Sequence, residues 1–504
     1  MGCWKKTRRW SGERLAEWHI DLTRYSAWIL LLTSLLSLGS YWAYDIPGAI
    51  QTQLTMWFGG PFFYTDQMNL TLYSVYSYPN IVLAFCGGII IDKWTGIAKG
   101  TVLFVGLVFL GQVIFSLGIE GRCYIVALVG RFILGLGGES ITVRFKPPIF
   151  FSFFFSTHFF FQYVGSFLKV AQSSWASRWF KSSNSLALAF GITVSLARVG
   201  SALSFITSPL IVEDTSVPVA VWVATTLCGV SLIASIALGI SDWWGLSSGR
   251  LELPELSERH SVSLRQILRF PLAVWLLCFT CMFFYMALIP LYAVASQIIQ
   301  SSGTVRYDPE DASSFVAIPN VMAIVLVPLF GKIVDIWGWA LVAMVFASAF
   351  LILGDVMFLG TALEWWTIFP VYTFLVIGLG YCIFAAALWP LIIHVARKNA
   401  LSTAYGLMSS LQAAGVAVTA QIVGAIQISS PGDDAQFVGP LSFFIGSSLV
   451  SGLLSLFLIH WDKKTLGILN LSADQRNKRI LLIDDGDDDD DDIYEEEQQQ
   501  QQQQ

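Results

Sequence analysis

The sequence predicts an all-α polytopic membrane protein: twelve transmembrane helices arranged as two pseudo-symmetric six-helix halves. Three observations lead there. The 504 residues are 55% hydrophobic and only 13% charged, with a mean hydropathy of +0.64, where an ordinary soluble domain carries about 25% charged residues. Apolar stretches close to the roughly 20 residues that a helix needs to cross a bilayer recur twelve times. A turn pattern that follows the second stretch returns after the eighth.

In chain order, residues 1–25 form an N-terminal segment holding Lys5, Lys6, Arg8, Arg9 and Arg14. No small-residue cleavage site follows the first apolar run, so this segment reads as a cytoplasmic extension and not a secretory signal. Spans near 26–44, 72–91, 101–118, 124–142, 185–206 and 217–240 make the first half, 26–240. Residues 241–270 are polar and read as a cytoplasmic linker. Spans near 271–295, 313–334, 339–360, 367–392, 401–427 and 437–460 make the second half, 271–460. Residues 461–504 end in an acidic run and Gln498–Gln504, with almost nothing to bury, which predicts a disordered tail. Residues 484–497 alone hold 11 of the 35 acids, so the pI near 5.4 describes the tail and not the membrane body.

Lysine and arginine set orientation. Twelve spans with both termini cytoplasmic leave only Arg122 and Arg306 among the loop cations on the far side. A thirteenth span over the apolar run 149–168 would push Arg259, Arg265, Arg269, Arg397 and Lys398 outside. Residues 143–169 also contain 10 of the 37 Phe, with Pro and Ser, residues whose codons are pyrimidine-rich. Val codons begin GT and Lys can be AAG, so Val143 to Lys169 is read as an in-frame retained-intron insertion whose removal lets the fourth span continue; a genuine Phe-rich re-entrant hairpin is the other reading.

Composition excludes several function classes. Seven scattered Cys, mostly in apolar runs, form no disulfide framework. Cys278 and Cys281 sit inside the seventh span and read as core cysteines. The five His show no metal-ligand spacing. No basic domain with interleaved aromatics suggests nucleic acid. No nucleophile or metal set supports an enzyme, and no cofactor is expected. Asn69-Leu70-Thr71 is a sequon, but it abuts the second span and is read as unused.

The repeated turn is Gly88-Ile-Ile-Ile-Asp92 after the second span and Gly331-Lys-Ile-Val-Asp335 after the eighth. Paired halves are the build of secondary transporters. A Gly permits close helix approach and an Asp at a helix end can pair or cap, so Gly88, Asp92, Gly331 and Asp335 read as gating residues. Arg131, Glu139 and Arg198 lie within spans four and five, where charges normally face a partner or a polar cavity. An internal Glu139–Arg198 salt bridge is one reading and a cavity lining is the other. Aromatic groups Tyr41, Trp42 and Tyr44 near Pro47, Tyr285 near Pro290 and Trp389 beside Pro390 mark helix interruptions where transporters bend.

The Gly-x-x-x-Asp turns and the Arg131-to-Gly137 pattern resemble the major facilitator superfamily. Leu38-Gly-Ser-Tyr41-Trp-Ala-Tyr44-Asp45-Ile-Pro47, Tyr76-Ser-Tyr78-Pro79-Asn80, Gly137-Gly-Glu139-Ser140, Ala197-Arg198, Ala387-Leu-Trp389-Pro390 and Thr403-Ala-Tyr405-Gly406 resemble its animal lysosomal dipeptide uniporters, from about Trp28 to Ile426. The resemblance implies facilitated export of dipeptides across a lysosomal or vacuolar membrane and a glycosylated lysosomal membrane accessory protein. It also implies substrate contacts from Glu139, Arg198, Tyr44, Tyr285, Trp389 and Tyr405, with Glu139 on the amine, Arg198 on the carboxylate and Arg131 as the competing cation. Two features depart from the pattern: Thr95 delays Gly96 by one residue, and Leu481-Leu482 lacks an upstream acid for a dileucine signal. Rival readings are a proton-coupled organic anion symporter using Glu139 or Asp45, and a transporter-like receptor or scaffold.

Overall fold

The computed structural model describes residues 24–90, 96–138, 186–247, 270–301, 307–363, 365–366, 368–396, 401–429, 437–465, 467, 469–472 and 475. The suspected insertion 143–169 and the acidic and polyglutamine residues of the tail lie outside them.

Thirteen α-helices and no strand occur among the described residues. They are α1 (Arg24–Ala49), α2 (Gln51–Trp57), α3 (Asp66–Ile90), α4 (Gly96–Glu120), α5 (Tyr124–Gly138), α6 (Leu186–Asp214) and α7 (Val217–Ser247) in the first half. The second half has α8 (Leu272–Ser301), α9 (Pro309–Trp337), α10 (Ala340–Ala362), α11 (Pro370–Val395), α12 (Leu401–Ser429) and α13 (Val438–Lys464). Twelve correspond to the predicted spans, and ten of these are long and apolar enough to cross a membrane by length and composition. The helices outrun the apolar stretches, α1 to Ala49 and α8 to Ser301, because backbone hydrogen bonding continues where the hydrocarbon ends. The two-turn α2 is an addition that polar Gln51, Thr52 and Gln53 hid within a presumed loop.

Inter-helix contacts fix the directions. Gly200 of α6 lies against Leu38 of α1 and Ser204 bonds to Trp42, so α6 runs parallel to α1. Arg131 bonds to Leu72 and Gly135 meets Tyr76, so α5 runs parallel to α3. The connection from α5 to α6 therefore starts and ends at the same end of the bundle. That end also carries the start of α1 and the finish of α13; it is the proximal end, and α2 lies at the distal one.

Small residues set the packing distances. A Cβ at Gly111 or Gly118 of α4, or at Gly130 of α5, would run into the facing backbone at Leu134, Ala127 or Phe115. Close backbone approach is how membrane helices gain contact where lipid offers no hydrophobic drive. At the turn after α9, Gly338 has φ +77° and abuts the Asn470 carbonyl, so both conformation and space require glycine. Asn470 also accepts from Trp339 N–H (2.9 Å) through its carbonyl and from Leu341 N–H (2.9 Å) through its side chain, which caps the start of α10.

The halves meet along α3 with α12, along α6 with α9, and where α1 and α2 meet α8. Proline shapes the second contact. Pro209 removes the N–H that the Phe205 carbonyl would accept in α6, and Ser313 of α9 donates to that carbonyl at 2.7 Å. Pro328 does the same to Ile324 in α9, and Ser195 of α6 donates there at 3.0 Å. Each helix thus satisfies the carbonyl freed in the other, as membrane-embedded prolines require.

Candidate functional site

Pro47 breaks α1 and deprives the Ala43 carbonyl of its ladder partner. Arg131, fully buried on α5, supplies the replacement: Nη1 donates to Ala43 O at 2.7 Å, Nη2 to Tyr44 O at 2.9 Å, and Nε toward Leu72 O at 3.5 Å. The rings of Tyr44, Tyr73, Tyr76 and Phe115 stand 5.4–5.9 Å from its guanidinium carbon. Four π faces and the carbonyl oxygens replace the water that this cation has lost. Nearby, Gly48 N–H donates to the Tyr73 hydroxyl at 2.9 Å, so α3 and α5 together hold the break. Arg131, the predicted competing cation, has its donors turned to backbone, and Tyr44 belongs to the same cage, edge-on to Tyr73 at 5.3 Å and 4.7 Å from Tyr76.

Arg198 stands differently. It is half-buried on α6, with Tyr41 of α1 at 5.4 Å on one side and Tyr381 of α11 at 5.0 Å on the other, one ring from each half. Stacked rings cover the faces of a guanidinium and leave its in-plane N–H edges to point elsewhere. Asp45, buried on α1, follows the Tyr44 carbonyl that Arg131 holds.

Tyr285, Trp389 and Tyr405 lie on α8, α11 and α12 of the second half. Tyr285 is buried on α8, edge-on to Phe284 (5.9 Å) and Phe384 (6.2 Å). Trp389 stacks on Tyr405 at 6.2 Å and 16°, and the Tyr405 hydroxyl donates to the Trp389 carbonyl at 3.0 Å. The structure therefore brings Trp389 and Tyr405 into direct contact, and sets Tyr285 against Phe384, one turn from the Tyr381 that lies beside Arg198. Glu139 and Asp92 lie outside the described residues. Gly88 lies in α3 and Asp335 in α9. At Gly331 the close approach expected from the motif does not occur among the described residues, where an added Cβ would meet nothing within 4 Å.

The distal end is closed by a polar latch that the sequence did not announce. Gln51 Nε2 donates to Asp66 Oδ1 (3.0 Å) and Gln297 Oε1 (2.9 Å), and Gln297 Nε2 donates to the same Asp66 oxygen at 2.9 Å. Gln51 and Asp66 belong to the first half and Gln297 to the second, so the triangle ties the halves together. The sequon residue Asn69 is buried nearby and accepts from the Tyr64 hydroxyl at 2.9 Å, inside the fold and not on its surface. Tyr381 was missed because a tyrosine in an apolar helix looks like packing; its only signal was adjacency to Gly380. Among the described residues, no group of three or more His, Cys, Asp or Glu is placed to hold a metal.

Comparison with known proteins completes the picture. The profile of the Major Facilitator Superfamily matches residues 147–420, more than half of the chain. The chain is similar to proteins named lysosomal dipeptide transporter MFSD1: 30% identical over 464 residues to that of Mus musculus, covering 89% of each. The Homo sapiens protein is 30% identical over 465 residues, again covering 89% of each, and the Danio rerio protein 29% over 469 residues, covering 90% of each. A structure titled "Structural insights into substrate recognition in proton dependent oligopeptide transporters" superposes with a TM-score of 0.56 at 13% identity, covering 86% of this chain and 99% of that one. That likeness concerns the fold alone. With the profile, the relatives and the twelve-helix architecture in agreement, the chain belongs to the major facilitator superfamily and is a multi-pass membrane transporter.

Proposed function

We propose that this transporter is a uniporter that carries dipeptides out of a lysosomal or vacuolar lumen by alternating access. The observation that carries the reading is Arg198, half-buried in a central site with one ring from each half close to its guanidinium. A cation gripped by both halves senses its ligand and the halves' separation together. The names of the relatives supply the substrate class.

In this reading the proximal end is cytoplasmic, both termini lie there, and the distal latch closes the lumenal side. Arg198 takes the dipeptide carboxylate and Glu139, the residue that follows Gly138 in sequence, takes the amine. A dipeptide spans about 7 Å at roughly 3.5 Å per residue. Contact distances of about 3 Å at each end require opposite charges roughly 13 Å apart, whatever the side chains between. Tyr285, Trp389 and Tyr405 line the path, and Gly88, Asp92, Gly331 and Asp335 close the cytoplasmic side in the alternate state. A glycosylated lysosomal membrane accessory protein is a proposed partner.

Glu139→Gln should weaken transport of free-amine dipeptides about tenfold or more, the worth of a charged hydrogen bond, while N-acetylated dipeptides change little. Initial rates in reconstituted vesicles measure both. Equal losses for the two substrates would remove Glu139 from the amine.

A further inference from the structure

Tyr292 lies seven residues after Tyr285 on α8, two helical turns on, and so on the same face of the helix toward the central site. Its side chain is only 7% exposed, and its hydroxyl has no hydrogen-bond partner among the described residues. That face meets α11, where Tyr285 lies 6.2 Å from Phe384 and Tyr381, one turn before Phe384, lies 5.0 Å from the Arg198 guanidinium, so Tyr292 stands on the side of α8 that looks onto the Arg198 site. Its backbone is fixed there as well, because Gly48, beside the Pro47 break, packs against the Tyr292 carbonyl and Ala293. Asp45, the buried acid three residues before Gly48 on α1, does not accept from the Tyr292 hydroxyl. A buried hydroxyl left without an acceptor is costly, and one on the face that lines an arginine's site has a natural acceptor in the anion that the arginine binds.

We infer that the Tyr292 hydroxyl donates to the substrate carboxylate as a second anchor beside Arg198. This inference rests on the dipeptide reading above and names a further specificity residue for it. A carboxylate offers about four lone-pair positions, and a bidentate arginine takes two. The remainder accept from a neutral O–H donor without adding charge to the site. The pair recognises a terminal carboxylate and rejects an amide, whose NH₂ group would face the guanidinium and the hydroxyl with donors against donors.

The test uses the full-length protein in reconstituted vesicles, with alanyl-alanine and its C-terminal amide as paired substrates. Tyr292→Phe should raise KM for the free dipeptide about tenfold, the scale of one hydrogen bond to a charged group, and leave KM for the amide within twofold. Preference for the free carboxylate then collapses while the thermal unfolding temperature holds. Equal changes for both substrates, no change in either, or a lowered unfolding temperature with preference retained would each overturn the inference. Arg198→Lys serves as the reference arm. If it abolishes the preference and Tyr292→Phe does not, the role of Tyr292 alone falls. If neither variant alters the preference, or the unmodified protein moves no dipeptide, the reading on which it rests falls too.

Discussion

Replacing Arg131 with alanine is expected to prevent accumulation of folded protein. The change leaves the Ala43 and Tyr44 carbonyls without their donors at the Pro47 break and opens a void among four aromatic rings. Removing one member of a buried charged network costs about 3–5 kcal/mol, a large share of a total stability of roughly 5–15 kcal/mol. Arg131→Lys keeps the charge but cannot reach two carbonyls with a rigid fork, so it should fold with a lowered unfolding temperature. Size-exclusion profiles and thermal unfolding of both variants make the check. A monodisperse Arg131→Ala protein of normal stability that has lost only transport would instead make Arg131 a substrate ligand.

The second large effect is functional. Arg198→Lys should fold normally and lose about 10- to 100-fold in kcat/KM for dipeptides, because a charge-assisted bidentate contact is replaced by a single one. Lysine also lacks the planar surface that stacks between Tyr41 and Tyr381. Initial rates of dipeptide uptake over a concentration series give the ratio. Rates within twofold of the unmodified protein would exclude Arg198 from carboxylate binding. The two arginines are thus separable by what each substitution damages, stability in one case and transport in the other.

Much of this architecture was legible in the residues. Apolar stretches of bilayer length and the paired Gly-x-x-x-Asp turns report local composition, and local composition is what a bilayer selects. The division of labour between Arg131 and Arg198 was not legible, because it depends on which carbonyls Pro47 frees and which helix stands beside them. Arg131 reaches across 88 positions to Ala43, a pairing that no local pattern encodes. The Gln51–Asp66–Gln297 latch joins positions up to 246 apart, and its members looked like ordinary loop and helix-end polar residues. Tyr44 fitted the aromatic pattern of a gate, yet its ring serves the Arg131 cage because α3 presents Tyr73 and Tyr76 to the same cation. Tyr381 and Tyr292 were hidden for the opposite reason: in an apolar helix, a tyrosine that packs and one that binds look alike until the neighbouring helices are in place.

Uniport of dipeptides is the central claim, and flux through the full-length protein in sealed vesicles tests it most directly. With equal pH on both sides and no membrane potential, a dipeptide gradient alone should drive saturable uptake that stops at equal concentrations, and an imposed proton gradient should not carry it further. Accumulation above equilibrium under a proton gradient, or no saturable dipeptide uptake in either condition, would contradict the account.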